Sequence, residues 1–505
     1  MRDVTSDLDK VPIAGIIDAA LDSADSVDFV DVRIMSTRTA YQTSRDARPM
    51  TDIEHQSLGL GVRTLVDGCW GFAATTDLHA ASAAETAQRA LAMARVSAPT
   101  TTDPISLVES QPVNGEWTSS FVVDPFSVDA AARMTFLTEG SGALLSGGVT
   151  HTMASAMAVR EEVVYADSNG SHTQQQRVRV QGEFSGIAVA DDGSFQSLRT
   201  TAPPVGRGWE YFVDPTDTIS SSGSWDWAGE LARLPERLAE KSAAPSVEPG
   251  SYTLVIDPTN LWLTIHESVG HATELDRVRG YEANYAGTSF ATEEKIGSFR
   301  YGSPLMHVTG DRTAEHGLAT VAWDDEGVPA QEWDLIRDGI LVGYQLDRSM
   351  AARSEQYPDS NGCAYADSAL HVPLQRMPNV SLQPDPMGGT LDELIAGVDD
   401  GILVIGDNSW SIDMQRYNFQ FTGQRFERIR NGRLVGQVRD VAYQGSTPQF
   451  WGSLVALGGP STYLLGGAFN CGKGQPGQVA PVSHGCPAAV FEGVNVLNSG
   501  TEAGA

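Results

Sequence analysis

The segment His266-Glu267-Ser268-Val269-Gly270-His271 places two histidines around a glutamate that directly follows the first. Neutral imidazoles hold a metal such as Zn2+, and a carboxylate beside them handles the proton of an attacking water, so these are the residue types of a zinc hydrolase. The spacing departs from His-Glu-x-x-His, whose histidines lie four apart on one helix face. Here they lie five apart. In a regular α-helix, five steps of roughly 100° leave the second histidine about 140° from the first. Both grip one ion only if a π-type bulge adds a residue to the turn, or if the helix ends at the motif. Gly270 is the residue best able to permit either. Two histidines and a glutamate also serve as satisfied polar groups on a buried helix, so the motif needs a third ligand.

The elements that must position this motif are legible on either side of it. The apolar run Leu261-Trp262-Leu263-Thr264-Ile265 suits a helix anchored in a core, and Asp257-Pro258-Thr259-Asn260 ahead of it supplies cap and breaker signals. A second unusual segment, Asn470-Cys471-Gly472-Lys473-Gly474-Gln475-Pro476-Gly477-Gln478, is a Gly-rich loop with a cysteine close to a lysine. Glycines let a backbone approach another element, and a nearby cation or metal favours the thiolate. A His2Cys set with one open position suits catalytic zinc, but spacing alone does not bring Cys471 to the histidines. His484 follows the loop and is open to several roles: oxyanion stabilisation, a competing ligand, or loop structure. Cys486 offers a fourth ligand for a closed structural site, a poor match to a glutamate directly after a ligand. Glu274 reads as a partner for a ligating histidine or as a surface group. Asp324, Asp325 and Glu326 read as solvated carboxylates at the approach to a hairpin, and Cys69 and Cys363 as buried small hydrophobes.

Composition bounds the rest. The 505 residues carry a net charge of −30, which argues against sequence-independent nucleic-acid binding. Four cysteines in a chain this long make no disulfide framework. Met1 to Lys10 is polar and acidic, unlike a signal segment, and no apolar run approaches the roughly 18 residues of a membrane span. A cytoplasmic location is expected.

Along the chain, residues 11–25 and 80–96 have helical spacing, Phe29 to Ile34 reads as a strand, and Leu58 to Ala74 as a hairpin about Asp67-Gly68. Val159 to Tyr165 and Arg177 to Val189 look like sheet, Ile219 to Trp227 like a Ser/Trp-rich loop, and Ala228 to Ala244 like a helix interrupted by Pro235. Asp338-Gly339 and Asn431-Gly432 are two further hairpin turns. The expected class is α+β: an N-terminal α/β domain over 1–105, a central α/β domain over 106–248, and a strand-rich, mainly antiparallel domain over 249–505 that carries the metal motif.

Several blocks, in order, resemble the TldD/PmbA family of metallopeptidases, specifically its TldD-type catalytic subunit. They are Gly61 to Ala73, the HESVGH segment, Asp324 to Pro329 with Gly339 to Tyr344, Arg376-Met377-Pro378-Asn379, and Cys471-Gly472-Lys473. The resemblance implies zinc held by His266, His271 and Cys471, with Glu267 as general base. It further implies hydrolysis of unfolded peptides and assembly with a homologous PmbA/TldE-type subunit that lacks the metal motif. Lys473 and His484 are the candidates for holding the oxyanion or the substrate. An alternative is that the same site serves a specialised step in making a natural product or modified peptide. The family's link to modulating DNA gyrase suggests a binding role, against which the intact His-Glu-His set argues.

Overall fold

The hairpin signals set the sheets. In the computed structural model, which describes residues 6–24, 26–189, 195–213 and 225–502, the pairs Asp67-Gly68, Asp338-Gly339 and Asn431-Gly432 each turn a hairpin. Both residues of each pair have positive φ, from 48° to 74°. That is the turn whose twist matches the flanking strands. A longer hairpin joins Phe29–Arg45 (β1) to Arg48–Val66 (β2) through Asp46-Ala47, where no glycine announces it. The strand expected at Phe29 to Ile34 is only the first third of β1.

These strands join Cys69–Thr75 (β3), Asn114–Thr118 (β4), His151–Asp167 (β5), His172–Val189 (β6) and Phe195–Arg199 (β7) in one sheet of order β3-β2-β1-β5-β6-β4, with β7 also on β6. The sheet runs without a break across the boundary expected at residue 105, because β1 pairs with β5 from Asp31↔Asp167 to Arg45↔Met153.

Alternation along the strands gives the sheet two unlike faces. Val30, Val32, Ile34, Leu60 and Val62 pack under the helices Ile13–Asp22 and Ala80–Ser97. Ala154, Val180 and Phe184 pack under Ala130–Ser146 and Trp227–Ala243, the latter helix continuing through Pro235. The loop expected at Ile219 to Trp227 lies outside the described residues as far as Ser224.

The other face is polar, and the C-terminal unit covers it. Arg33 Nη1 donates to Asp325 Oδ2 at 2.5 Å, and Arg63 Nη1 to Glu326 Oε1 at 3.1 Å. Tyr365 OH and Arg179 Nη2 both donate to Glu161 Oε2, at 3.1 and 2.8 Å. The acidic cluster is therefore not solvated: Asp324, Asp325 and Glu326 are 2%, 3% and 4% exposed. Buried carboxylates require partners. Arg33 and Arg63 supply them for two, and the N–H groups of Glu326, Val328 and Ala364 cap Asp324, each at 2.9 Å.

Among the described residues, the strands of the C-terminal unit pair antiparallel apart from Gly250–Ile256 beside Asp400–Ile412. Asp400–Ile412 also pairs with Asn418–Arg430, so the sheet closes on itself through Ala489–Asn498 and Val441–Ser446. Its core contains Phe421, Tyr443, Trp451 and Phe491. The architecture is thus α+β, with the strand-rich part carrying the His-Glu-His motif.

Candidate metal centre

Asp257 starts the motif helix by accepting the Thr259 N–H at 2.9 Å, and Pro258 occupies the first turn, where its missing N–H costs nothing. The α-helix Pro258–Ile265 is buried along its whole length. It then widens into a π turn over His266–Gly270, in which the His271 N–H reaches the His266 carbonyl. This is the added residue that the five-residue spacing demands. It brings the two imidazoles to 4.7 Å between centroids. Gly270 serves a purpose other than backbone freedom: its φ is an ordinary helical −53°, but a Cβ there would stand 2.6 Å from Met377 Sδ.

The side-chain donor atoms of His266, His271 and Cys471 lie within 4.8 Å of one another, all three residues buried. Cys471 Sγ is 3.7 Å from His271 Nε2. Bonds of about 2.3 Å to sulfur and 2.1 Å to nitrogen give a tetrahedral edge of roughly 3.6 Å, so this pair fits a zinc-sized ion. Burial pushes the Cys471 thiol up, but His271 and the Arg376 guanidinium outweigh it and hold the thiol below its usual range. Arg376 also donates to the Cys471 carbonyl.

Hydrogen bonds behind the histidines fix which nitrogen faces inward. Glu274 Oε2 accepts from His271 Nδ1 at 2.7 Å, leaving Nε2 as the ligand atom. His484 Nδ1 donates to the Val380 carbonyl at 2.9 Å, and burial holds the His484 imidazole neutral. His484 Nε2 therefore accepts from His266 Nδ1 at 2.7 Å, and His266 Nε2 is likewise free. Glu274 is thus a buried partner of a histidine and not a surface group. Lys473 Nζ is enclosed by Asp276 at 2.8 Å, Glu274 at 3.2 Å and Glu282 at 3.3 Å.

A cavity of about 480 Å3 opens on His266, Glu267, His271 and Cys471. Neither Lys473 nor His484 lines it. Both stand behind the cluster, where an oxyanion does not reach, because each is already saturated by partners there. Cys486 is also apart from it, its thiol donating to the Pro258 carbonyl at 3.6 Å. Cys363 is buried as expected, whereas Cys69 is only half-buried. Among the described residues no cysteine is paired, and no helix is long and apolar enough to cross a membrane.

Sequence reasoning missed Arg416. Its Nη1 donates to Glu267 Oε2 at 2.5 Å from the turn between Asp400–Ile412 and Asn418–Arg430. Burial would raise the Glu267 carboxyl, but His266, His271 and Arg416 hold it below its usual value, so it is ionised. The arrangement is three buried donors for a metal and an ionised carboxylate, facing one cavity.

A family model described as PmbA/TldA metallopeptidase C-terminal domain matches residues 249–498, and another described as PmbA/TldA metallopeptidase domain 1 matches residues 30–94. The chain belongs to the PmbA/TldD metallopeptidase family. It is 27% identical over 476 residues to a metalloprotease of Methanothermobacter thermautotrophicus, covering 92% of this chain and 95% of that one. It is 25% identical over 472 residues to a metalloprotease TldD homolog of Haemophilus influenzae, covering 93% of each. A zinc metalloprotease TldD homolog of Saccharolobus solfataricus is 25% identical over 265 residues, covering 51% of this chain and 56% of the relative. The PmbA/TldD fold is also seen in TldE of Thermococcus kodakarensis, with a TM-score of 0.71 at 14% identity over 96% of this chain and 99% of that one. A structure described as a putative modulator of a DNA gyrase, from Thermotoga maritima, gives 0.73 at 15%, covering 96% of this chain and all of that one.

Proposed function

We propose that this PmbA/TldD family member is a zinc-dependent peptidase, with His266, His271 and Cys471 as ligands and Glu267 as general base, acting on unfolded peptides. The observation that carries this is the π turn that aims two histidines at one cysteine while leaving Glu267 on the cavity. When bound, zinc supplies Lewis-acid polarisation of the scissile carbonyl and acidifies water. Glu267 takes the proton of the attacking water and returns it to the leaving amine. His484 and Glu274 hold the imidazoles in the ligating tautomer throughout.

The substrate reading rests on the cavity walls. Residues 464 and 466–472 line it, and their strand, Leu464–Lys473, pairs on one edge with Gln478–Cys486 and with nothing on the other among the described residues. An extended peptide can add to such an edge through main-chain hydrogen bonds, which read little sequence. A cavity of this size excludes a folded domain. Pairing with a homologous subunit that lacks the metal motif is part of this reading, as the resemblance of the sequence blocks to a TldD-type catalytic subunit implies.

The test is mass-spectrometric detection of cleavage of an unfolded peptide, using the protein purified with and without a co-expressed homologous subunit, and Glu267→Ala as control. Multiple cuts that vanish in the control are expected. Absence of cuts from zinc-loaded protein in both preparations would overturn the peptidase reading.

A further inference from the structure

The cavity has a charged wall that the hydrolytic step does not use. The polar face of β6 continues past the ion pairs of Arg177 and Arg179 to Gln181 and Glu183, both of which line the cavity. Arg199, on the neighbouring β7, donates from Nη1 to Glu183 Oε2 at 2.8 Å. From Nη2 it donates to Asp407 Oδ2 at 2.6 Å and to the Asp407 carbonyl at 2.9 Å. Arg199 is the only Lys or Arg among the described residues that line the cavity, and two carboxylates hold it. This wall therefore carries one net negative charge, with Glu267 set aside. Glu183 is about one-third exposed, and its Oε1 accepts no hydrogen bond among the described residues.

The wall is close to the chemistry. Trp262 Nε1 donates to Asp407 Oδ1 at 3.3 Å, and the same indole lies 6.4 Å from the His266 ring, centroid to centroid. One side chain thus separates Asp407 from a metal-ligating histidine. An extended peptide advances about 3.3–3.6 Å per residue, so this wall meets a group within about three residues of the scissile bond. The exposed Trp410, on the same wall, adds an aromatic face to which a cation is also attracted.

We infer that Glu183, Arg199 and Asp407 form a specificity wall that favours peptides with a cationic group, a lysine or arginine side chain or a free α-amine, within about three residues of the cleaved bond. Main-chain pairing leaves sequence unread, and this wall supplies the charge reading that pairing lacks. The inference rests on the peptidase reading above. Arg199 is a positioning residue: it spaces the two carboxylates, which hold its guanidinium through three hydrogen bonds.

The test compares kcat/KM for three unfolded peptides of one parent sequence: neutral, lysine-substituted and glutamate-substituted near the main cut. The zinc-loaded protein is used together with any homologous subunit it needs. The lysine peptide is expected to exceed the glutamate peptide by about tenfold at low salt, with the ratio falling as ionic strength rises. Glu183→Gln should shrink the ratio to about threefold or less, and Arg199→Gln should enlarge it. Because the wild-type ratio is itself diagnostic, the inference stays exposed to refutation if a variant fails to fold. Cleavage of all three peptides at rates within twofold would overturn the specificity wall and leave the peptidase reading standing. No cleavage of any peptide would overturn both.

Discussion

Arg416 Nη1 donates to Glu267 Oε2 at 2.5 Å across 149 residues of chain. Arg416 has a left-handed backbone, φ 63°, and its carbonyl accepts from Thr447 Oγ1 at 2.7 Å, so the turn that carries it is itself anchored. One oxygen of Glu267 is thereby held. The other, Oε1, accepts no hydrogen bond among the described residues and is the one available to a water. With His266 and His271, the guanidinium also offsets the burial that would raise the Glu267 carboxyl and holds it below its usual value.

Arg416→Ala should therefore lower turnover by about 10- to 100-fold while zinc stays bound, because orientation of the base is lost and the ligands are untouched. Arg416→Lys should restore part of the rate, since an ammonium keeps the charge but not the fork geometry. Steady-state rates with zinc content measured on the same preparations decide this. An Arg416→Ala protein at full rate and full zinc occupancy would show that Glu267 needs no clamp.

His484 separates two roles by a simple comparison. Standing behind His266, it should act on metal affinity, so His484→Ala should weaken zinc binding by about 10- to 100-fold. An oxyanion role predicts the reverse: tight zinc and a low rate. Competition against a chelator measures the first quantity directly. Zinc affinity equal to wild type would sink the positioning role argued from the 2.7 Å contact.

What the sequence disclosed depended on how local each device is. The hairpin pairs Asp67-Gly68, Asp338-Gly339 and Asn431-Gly432 act through two adjacent residues, and all three form. The five-residue histidine spacing demanded either a π bulge or a helix end, and a π turn followed by one 3-10 turn supplies the former with the latter close behind. The Asp46-Ala47 turn was illegible because Ala47 adopts φ 59° without the glycine that usually marks it. The burial of Asp324 to Glu326 was illegible for a different reason. Their partners Arg33 and Arg63 lie about 290 and 260 residues away in sequence, and only the packing of the polar sheet face brings them together. Arg416 was hidden in the same way. Lys473 drew notice for its proximity to Cys471, but its ammonium turns to three carboxylates and away from the cavity.

That enclosure makes Lys473 a structural charge. Lys473→Met leaves Glu274, Asp276 and Glu282 with Arg277 as their remaining close cation, which donates to Glu274 at 3.3 Å and pairs with Glu282 at 3.0 Å. Removing one partner from a buried ionic group costs about 3–5 kcal/mol. A lower denaturant midpoint for the C-terminal unit and weaker zinc binding are expected, the latter because Glu274 orients His271. A midpoint unchanged from wild type would argue that the carboxylates simply take up protons when the ammonium is gone.

The interface between the first sheet and the C-terminal unit should give stability a defined dependence on pH. Burial, reinforced by the nearby Glu326, raises both Asp324 and Asp347 to about 7. A raised carboxyl contributes its full stability below its unfolded pKa, about 4, and loses it as pH rises through 7. Each such group should therefore cost about 1 kcal/mol between pH 6 and pH 8. Glu161 runs the opposite way. Burial would raise it, but Arg177 and Arg179 outweigh burial and hold it at about 2, so its contribution is present above its unfolded pKa and is lost as pH falls towards 2. The two trends meet where the unfolded carboxyls titrate, so they place maximum stability at about pH 4, with stability falling from there towards pH 7. Asp347→Asn isolates one term, because Asp347 Oδ1 accepts from Ser349 Oγ at 2.9 Å and the Met350 N–H at 2.7 Å, and an amide oxygen can keep both bonds. In this variant the loss of denaturant stability between pH 6 and pH 8 should shrink by about 1 kcal/mol. An identical loss in variant and wild type would mean that Asp347 does not titrate across that range.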